Sequence, residues 1–199
     1  MAEPEPGGIL STDRLDALTD GVFAFAMTLL VINLEFPDDF DPKTNADLVA
    51  ALRNLSDALL VYVISFVVLA TRWIGQARIR PRAETVGGGH AWWVLLHLFF
   101  ITLVPFSTLV VGRYDFPIAV ILYGANMGLA ALVALRISFM EEGETRQRPA
   151  ETGRIDLIVL AGTAGLSIVL SLFGIHDAMW AYMLNFAAPM IGRRFPRLV

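Results

Sequence analysis

The sequence predicts an all-α, polytopic membrane protein with six transmembrane helices in a single domain. Three observations lead there. Composition is the first: 56% of the 199 residues are hydrophobic, 17% are charged and mean hydropathy is +0.61. A soluble domain of this length carries about a quarter charged residues. The second is a set of uncharged stretches. Residues 87–112, 116–135 and 157–176 each supply the ~20 apolar residues that cross ~30 Å of hydrocarbon. Residues 21–34, 58–71 and 178–192 are shorter, and become spans once the charges at their ends face a bundle interior or the interface. The third is charge asymmetry. Six spans put Arg14, Arg72, Arg78, Arg80, Arg82, Arg136, Arg146, Arg148, Arg154, Arg193, Arg194 and Arg197 on one side, with only Lys43, Arg53 and Arg113 opposite. The positive-inside rule then places both termini in the cytoplasm of a multi-pass protein of the cell (inner) membrane.

The elements follow in order. "MAEPEPGGIL" has neither a basic n-region nor an apolar h-region, so it is not a signal peptide and the first span itself targets the chain. Residues 1–12 are expected as a flexible tail and 13–199 as the transmembrane domain, with spans at 13–36, 50–75, 89–112, 116–138, 155–173 and 177–192. The first span opens on Asp13, Arg14, Asp16, Thr19 and Asp20 before its apolar run. Arg14 and Asp20 lie ~120° apart around a helix, so each needs a partner on another helix or water. Gln76, Trp93 and His97 lie at similar depth. Alternatively Arg14 snorkels to headgroups as an interfacial anchor; Asp20 is too short to do so. Gly21, Ala24 and Ala26 in this span, and Ala161, Gly162 and Gly165 in the fifth, are small enough to let helices approach closely.

The loops and later spans carry further signals. Asp38, Asp39, Asp41, Asp47 and Asp115 fall on the outer side, where they either concentrate cations or simply serve as turn residues. "RIRPRAETVGGGH" (78–90) reads as a basic turn and a flexible Gly run; it lacks the Lys and Ser/Thr of a phosphate loop. Residues 141–154 read as a charged linker. His97, two turns into the third span, is either functional or a neutral imidazole hydrogen-bonded to a neighbouring helix. Pro105 should kink the same span and free a carbonyl, which Thr102 or Thr108 would satisfy. Asn126 and Asn185 should hydrogen-bond between helices.

Several function classes are excluded. No cysteine occurs, so there is no disulfide, thiolate nucleophile or thiolate metal site. G-x-S-x-G and H-E-x-x-H are missing, which removes the commonest hydrolase and zinc-protease signatures. His90, His97 and His176 are too scattered for a His-based metal site, and no cofactor is expected. Net charge is −4 with no basic tract, so the partner is the lipid bilayer and not nucleic acid.

The opening of the first span carries a resemblance. "RLDALTDG" (14–21) followed by "VFAFAMTLLVINLEF" resembles the Arg-x-x-x-Phe-Ser-Asp signature of the transmembrane protein 175 family, the lysosomal potassium channels and their shorter prokaryotic relatives. Leu18-Thr19 stands for Phe-Ser. "LVPFSTLVVGRYD" (103–115) is similar to the family's Leu-Pro-Phe-x-Thr segment, and "LYGANM" (122–127) to the start of its fourth helix. In "RWIGQAR" (72–78), Gln76 stands where relatives usually carry His.

This resemblance implies a potassium-permeable cation channel without a TVGYG filter, not an enzyme. It implies a homotetramer in which each first helix lines a central pore open to K⁺ and other monovalent cations in transit. Phe25, Thr28, Leu29 and Ile32 recur at i, i+3, i+4 and i+7, one helical face. The resemblance makes Phe25 the apolar constriction, Thr28 a hydroxyl ring, and Leu29 and Ile32 further apolar rings. Without it, the same stripe would read as lipid-facing or core. Arg14, Thr19, Asp20, Gln76, Trp93 and His97 would form a structural polar network at the cytoplasmic end. A secondary transporter, or a membrane enzyme or scaffold, is the alternative class.

Overall fold

The computed structural model describes residues 8–37, 39–77, 85–144, 151–174 and 178–185. Among them, five helical segments are long and apolar enough to cross a membrane: Thr12–Asn33, Ser56–Gln76, Gly88–Arg113, Pro117–Met140 and Arg154–Leu172. The sixth expected span, 177–192, enters only as a 3₁₀ helix, Ala178–Met183, followed by two helical residues. Its remainder lies outside the described residues. So do Asp38, Arg78, Arg80, Arg82, Arg146, Arg148, His176, Arg193, Arg194 and Arg197.

Strand β1 (Gly8–Ser11) precedes helix α1 (Thr12–Leu29), whose end tightens into a 3₁₀ turn, Leu30–Asn33. Residues 8–11 were expected as tail. They instead pair antiparallel with β2 (Thr85–Gly87), matching Leu10 with Val86 and Ser11 with Thr85. The Gly run expected to be flexible is therefore ordered: Gly87 ends β2, and Gly88 and Gly89 start the next helix.

The second expected span is two helices. α2 (Asn45–Asn54) is capped by Thr44, whose hydroxyl accepts from the Asp47 N–H at 3.1 Å while Asp47 accepts from the Thr44 N–H at 2.8 Å. Such a reciprocal capping box satisfies two orphan donors. α3 (Ser56–Ala77) restarts after Leu55 and is the membrane-length part. The third span is also divided, into α4 (Gly88–Thr102) and α5 (Val104–Arg113). Pro105 lacks an N–H and its ring presses on the carbonyl four residues back, so the helix breaks at Leu103. Neither threonine takes the expected role. Thr102 Oγ1 donates to the Phe99 carbonyl at 2.7 Å, and Thr108 Oγ1 donates to Ser65 Oγ at 2.9 Å.

α6 (Pro117–Glu144) and α7 (Glu151–Leu172) form the closest pair. A Cβ on Gly124 would lie 2.7 Å from Ile168 Cγ1, and one on Gly128 would lie 3.5 Å from Ala164. Close approach thus comes from Gly124, Gly128 and Ala164. Gly162 and Gly165 face outward with nothing within 4 Å, against expectation. In α1, likewise, Ala26 is buried while Ala24 is exposed, and a Cβ on Gly21 would meet nothing within 4 Å.

A polar seam runs through the apolar core. Ser65 meets the Tyr123 hydroxyl at 3.0 Å, and Tyr123 packs edge-on against Tyr182 at 5.1 Å. Asn126 Nδ2 donates to the Phe100 carbonyl at 3.2 Å, and Asn185 Nδ2 to Thr163 Oγ1 at 2.9 Å. Both asparagines join helices, as their polarity requires in lipid.

Candidate functional site on the first helix

α1 has two unlike faces. Thr12, Leu15, Thr19, Phe23 and Ala26, with Leu30 one turn on, are buried at spacings of three and four. This stripe holds the helix against α3, α4 and α5. Phe25, Thr28, Leu29 and Ile32 lie on the other side and are all exposed. Phe23 is 0% exposed and Phe25 is 72% exposed, as expected for residues ~200° apart around a helix. Thr28 Oγ1 donates to the Phe25 carbonyl at 2.9 Å. Its proton is thereby committed to the backbone, and its oxygen lone pairs stay free on the exposed side. Ile32 belongs to the 3₁₀ turn rather than to the α-helix proper.

The six residues expected to share one polar network occupy several places. Arg14 is exposed, with no hydrogen bond or ion pair among the described residues. Thr19 Oγ1 donates to the Leu15 carbonyl of its own helix at 2.9 Å. Asp20 accepts from Trp73 Nε1 at 2.8 Å, so its partner is Trp73 and not Gln76, Trp93 or His97. Gln76 is half-buried. Trp93 lies under the Arg136 guanidinium, 5.9 Å from the ring centroid. His97 is 2% exposed, its Nδ1 is 3.1 Å from the Ala130 carbonyl, and its ring lies 6.2 Å from Phe23. The cross-helix hydrogen bond expected of a packed imidazole is thus present, with Nδ1–H donating to the carbonyl. Trp73 was missed although it sits in the quoted "RWIGQAR". An indole N–H is a donor that needs an acceptor, and that rule would have paired it with a carboxylate.

Arg72 is a second correction. It was counted among cytoplasmic loop charges, but it lies within α3 and is 9% exposed. The negative charge of Asp156, on α7, acts on it from another helix. Burying a lone guanidinium is costly, so a cross-helix carboxylate is what such a site needs. A cavity of about 10 Å³ lies beside it, between Leu69, His97, Met127, Ala130 and Leu157. No group of three His, Cys, Asp or Glu able to hold a metal occurs among the described residues.

Comparison with known proteins bears on these features. The family model for the endosomal/lysosomal potassium channel TMEM175 matches residues 14–105. A potassium channel of Chamaesiphon minutus is 33% identical over 103 residues, 52% of this chain and 50% of that protein. A potassium channel of a Chryseobacterium species is 27% identical over 126 residues, 62% of this chain and 61% of that one. The matched stretches thus span about half to three-fifths of these relatives' lengths. The crystal structure of a lysosomal potassium-selective channel TMEM175 homolog from Chamaesiphon minutus superposes with a TM-score of 0.60 at 24% identity, over 90% of this chain and 93% of that one. The likeness of fold is therefore nearly end to end, while the match to the TMEM175 family model covers residues 14–105, the first two spans and most of the third.

Proposed function

We propose that this membrane protein is a potassium-permeable cation channel. Four copies assemble with their first helices around a central axis, and K⁺ passes along the face carrying Phe25, Thr28, Leu29 and Ile32. Phe25 forms the narrowest ring, Thr28 the nearest polar ring, and Leu29 and Ile32 the outer apolar rings. Each subunit crosses the cell membrane six times, with both termini in the cytoplasm.

One observation carries this reading. The first helix buries Phe23 completely and leaves Phe25 72% exposed, along with the rest of its i, i+3, i+4, i+7 stripe. The potassium-channel family model that this chain matches covers this helix, and similar proteins are named potassium channels, which favours a pore over lipid as what covers the stripe. The physics is simple: a bare apolar ring must strip water from an ion, at a cost that falls as the ring widens or becomes polar. The Thr28 lone pairs supply oxygen close to that ring. Ion coupling by a transporter would draw on paired broken helices in two halves; the described spans break at Leu103, beside Pro105, without such a mate.

The test is bi-ionic K⁺/Na⁺ recording in planar bilayers. Passive current supports a channel, stoichiometric coupling a transporter, and neither an enzyme or scaffold. Phe25→Ala should raise conductance and weaken any preference for K⁺ over Na⁺, and Phe25→Asn should do so more strongly. Thr28→Val should lower current. No change in Phe25→Ala, with a change in Phe23→Ala, would put the pore on the wrong face. Reporter fusions after residues 45, 85, 115, 147, 175 and 199 should alternate, starting outside.

A further inference from the structure

Two side-chain hydrogen bonds to other helices hold the first helix among the described residues, one at each end. Near its start, Trp73 of α3 donates to Asp20. At its far end, Asn33 Nδ2 donates to the Pro105 carbonyl of α5 at 2.9 Å. Between them the buried face is Phe23, Ala26 and Leu30, which packs well but does not fix rotation as a directed bond does.

Asn33 also closes the 3₁₀ turn Leu30–Asn33. A 3₁₀ helix turns ~120° per residue against ~100° for an α-helix, so three steps of tighter winding rotate the last residue by roughly 60°. The Pro105 carbonyl lies in the first turn of α5, just past the break at Leu103, and its second lone pair can take an outside donor.

We propose that Asn33 is a positioning residue: its bond to Pro105 keeps the last turn in 3₁₀ winding and so aims Ile32 at the Ile32 of neighbouring subunits. The proposal rests on the pore reading above. Without the amide, the turn relaxes toward α geometry and Ile32 swings by roughly 40°. Phe25, two turns nearer the Asp20–Trp73 bond, stays in place.

The chain has no cysteine, so introduced thiols report cleanly. Ile32→Cys and Phe25→Cys are placed in the full-length protein in liposomes, each with Asn33, with Asn33→Ala and with Asn33→Asp. Asp keeps the shape of Asn and removes the donor. Inter-subunit disulfide formation and the mobility of a nitroxide on each thiol are read in parallel. Both Asn33 variants should slow crosslinking at 32 about fivefold, the population shift worth one hydrogen bond, and mobilise its nitroxide. Position 25 should not change. Equal rates and line shapes at 32 in all backgrounds would overturn the proposal, and so would parallel changes at 25 and 32, which mark general loosening. If neither thiol crosslinks while Asn33 is present, the pore reading fails. The nitroxide at 32 then decides alone: mobilised by Asn33→Ala upholds the hold on the turn, and unchanged refutes it.

Discussion

The first span and the fourth are built from similar residues to different ends. Half of the most apolar window of Pro117–Met140 is buried within the subunit, against 28% for Thr12–Asn33. α6 meets α7 through Gly124, Gly128 and Ala164 and locks Tyr123 against Ser65 and Tyr182. α1 buries one narrow stripe and leaves a second, Phe25, Leu29 and Ile32, exposed. In lipid no hydrophobic force separates a buried leucine from an exposed one, so close packing and polar seams mark the scaffold. A helix attached along one face, with a directed bond at each end, is free to offer its other face to something else.

The contrast can be broken by mutation. The largest effect should come from Gly124→Leu. Its first added carbon already lands 2.7 Å from Ile168, and overpacking of this kind destabilises by about 3 kcal/mol. Thermal unfolding in detergent should show a much lower midpoint, and a normal midpoint would mean that α6 and α7 are not the rigid pair. Next come the two phenylalanines of α1. Phe23→Ala should lower stability by about 2 kcal/mol, the cavity part of the usual Phe→Ala loss, because transfer into lipid offsets the rest. Phe25→Ala should stay within about 0.5 kcal/mol of the parent, as exposed sites do. Equal losses at the two positions would erase the difference between the faces.

A smaller effect is expected at the start of α1. Trp73→Phe keeps the ring and removes the donor to Asp20. At this exposed site it should cost about 1 kcal/mol, and Asp20→Asn should add little on top of it. Additive losses would show that the two residues do not act through each other. The smallest effect lies outside the membrane. Hydrogen bonds from Thr44 and Lys43 hold the Asp47 carboxyl below its ordinary 3.8. A depressed carboxyl stabilises the fold above that ordinary value and loses its contribution as pH falls through the folded one. Protease susceptibility of α2 should therefore rise below pH 4 while α6 and α7 stay protected, and Asp47→Asn should flatten the pH dependence.

Much of this was legible in the sequence. Uncharged runs located five described spans, because hydrocarbon tolerates few alternatives to a helix. The polarity of Asn126 and Asn185 foretold their cross-helix bonds. The division between Phe23 and Phe25 followed from helical geometry alone. The failures share one cause. Whether Asp20 meets Gln76, His97 or Trp73, and whether Gly124 or Gly162 makes the close approach, depends on how helices rotate against one another, and a single chain's periodicity does not encode that. Arg72 was misplaced because the negative charge that acts on it, Asp156, is over eighty residues away in the sequence. The capping box at Thr44 and Asp47 was readable from spacing, and marks where α2 separates from α3.

The small sheet has a consequence in time. Ser11 pairs with Thr85, so β1 and β2 close a loop that contains the first two spans entirely. During synthesis from the N-terminus, both spans have emerged before β2 exists to be paired. β1 must wait, and the start of the first helix gains this second anchor only as Gly88 begins α4. Closing a loop of that length costs little more entropy than closing one half as long. The clasp therefore favours chains whose first hairpin has already inserted in the right sense, because only then do the two strands meet on one side of the membrane.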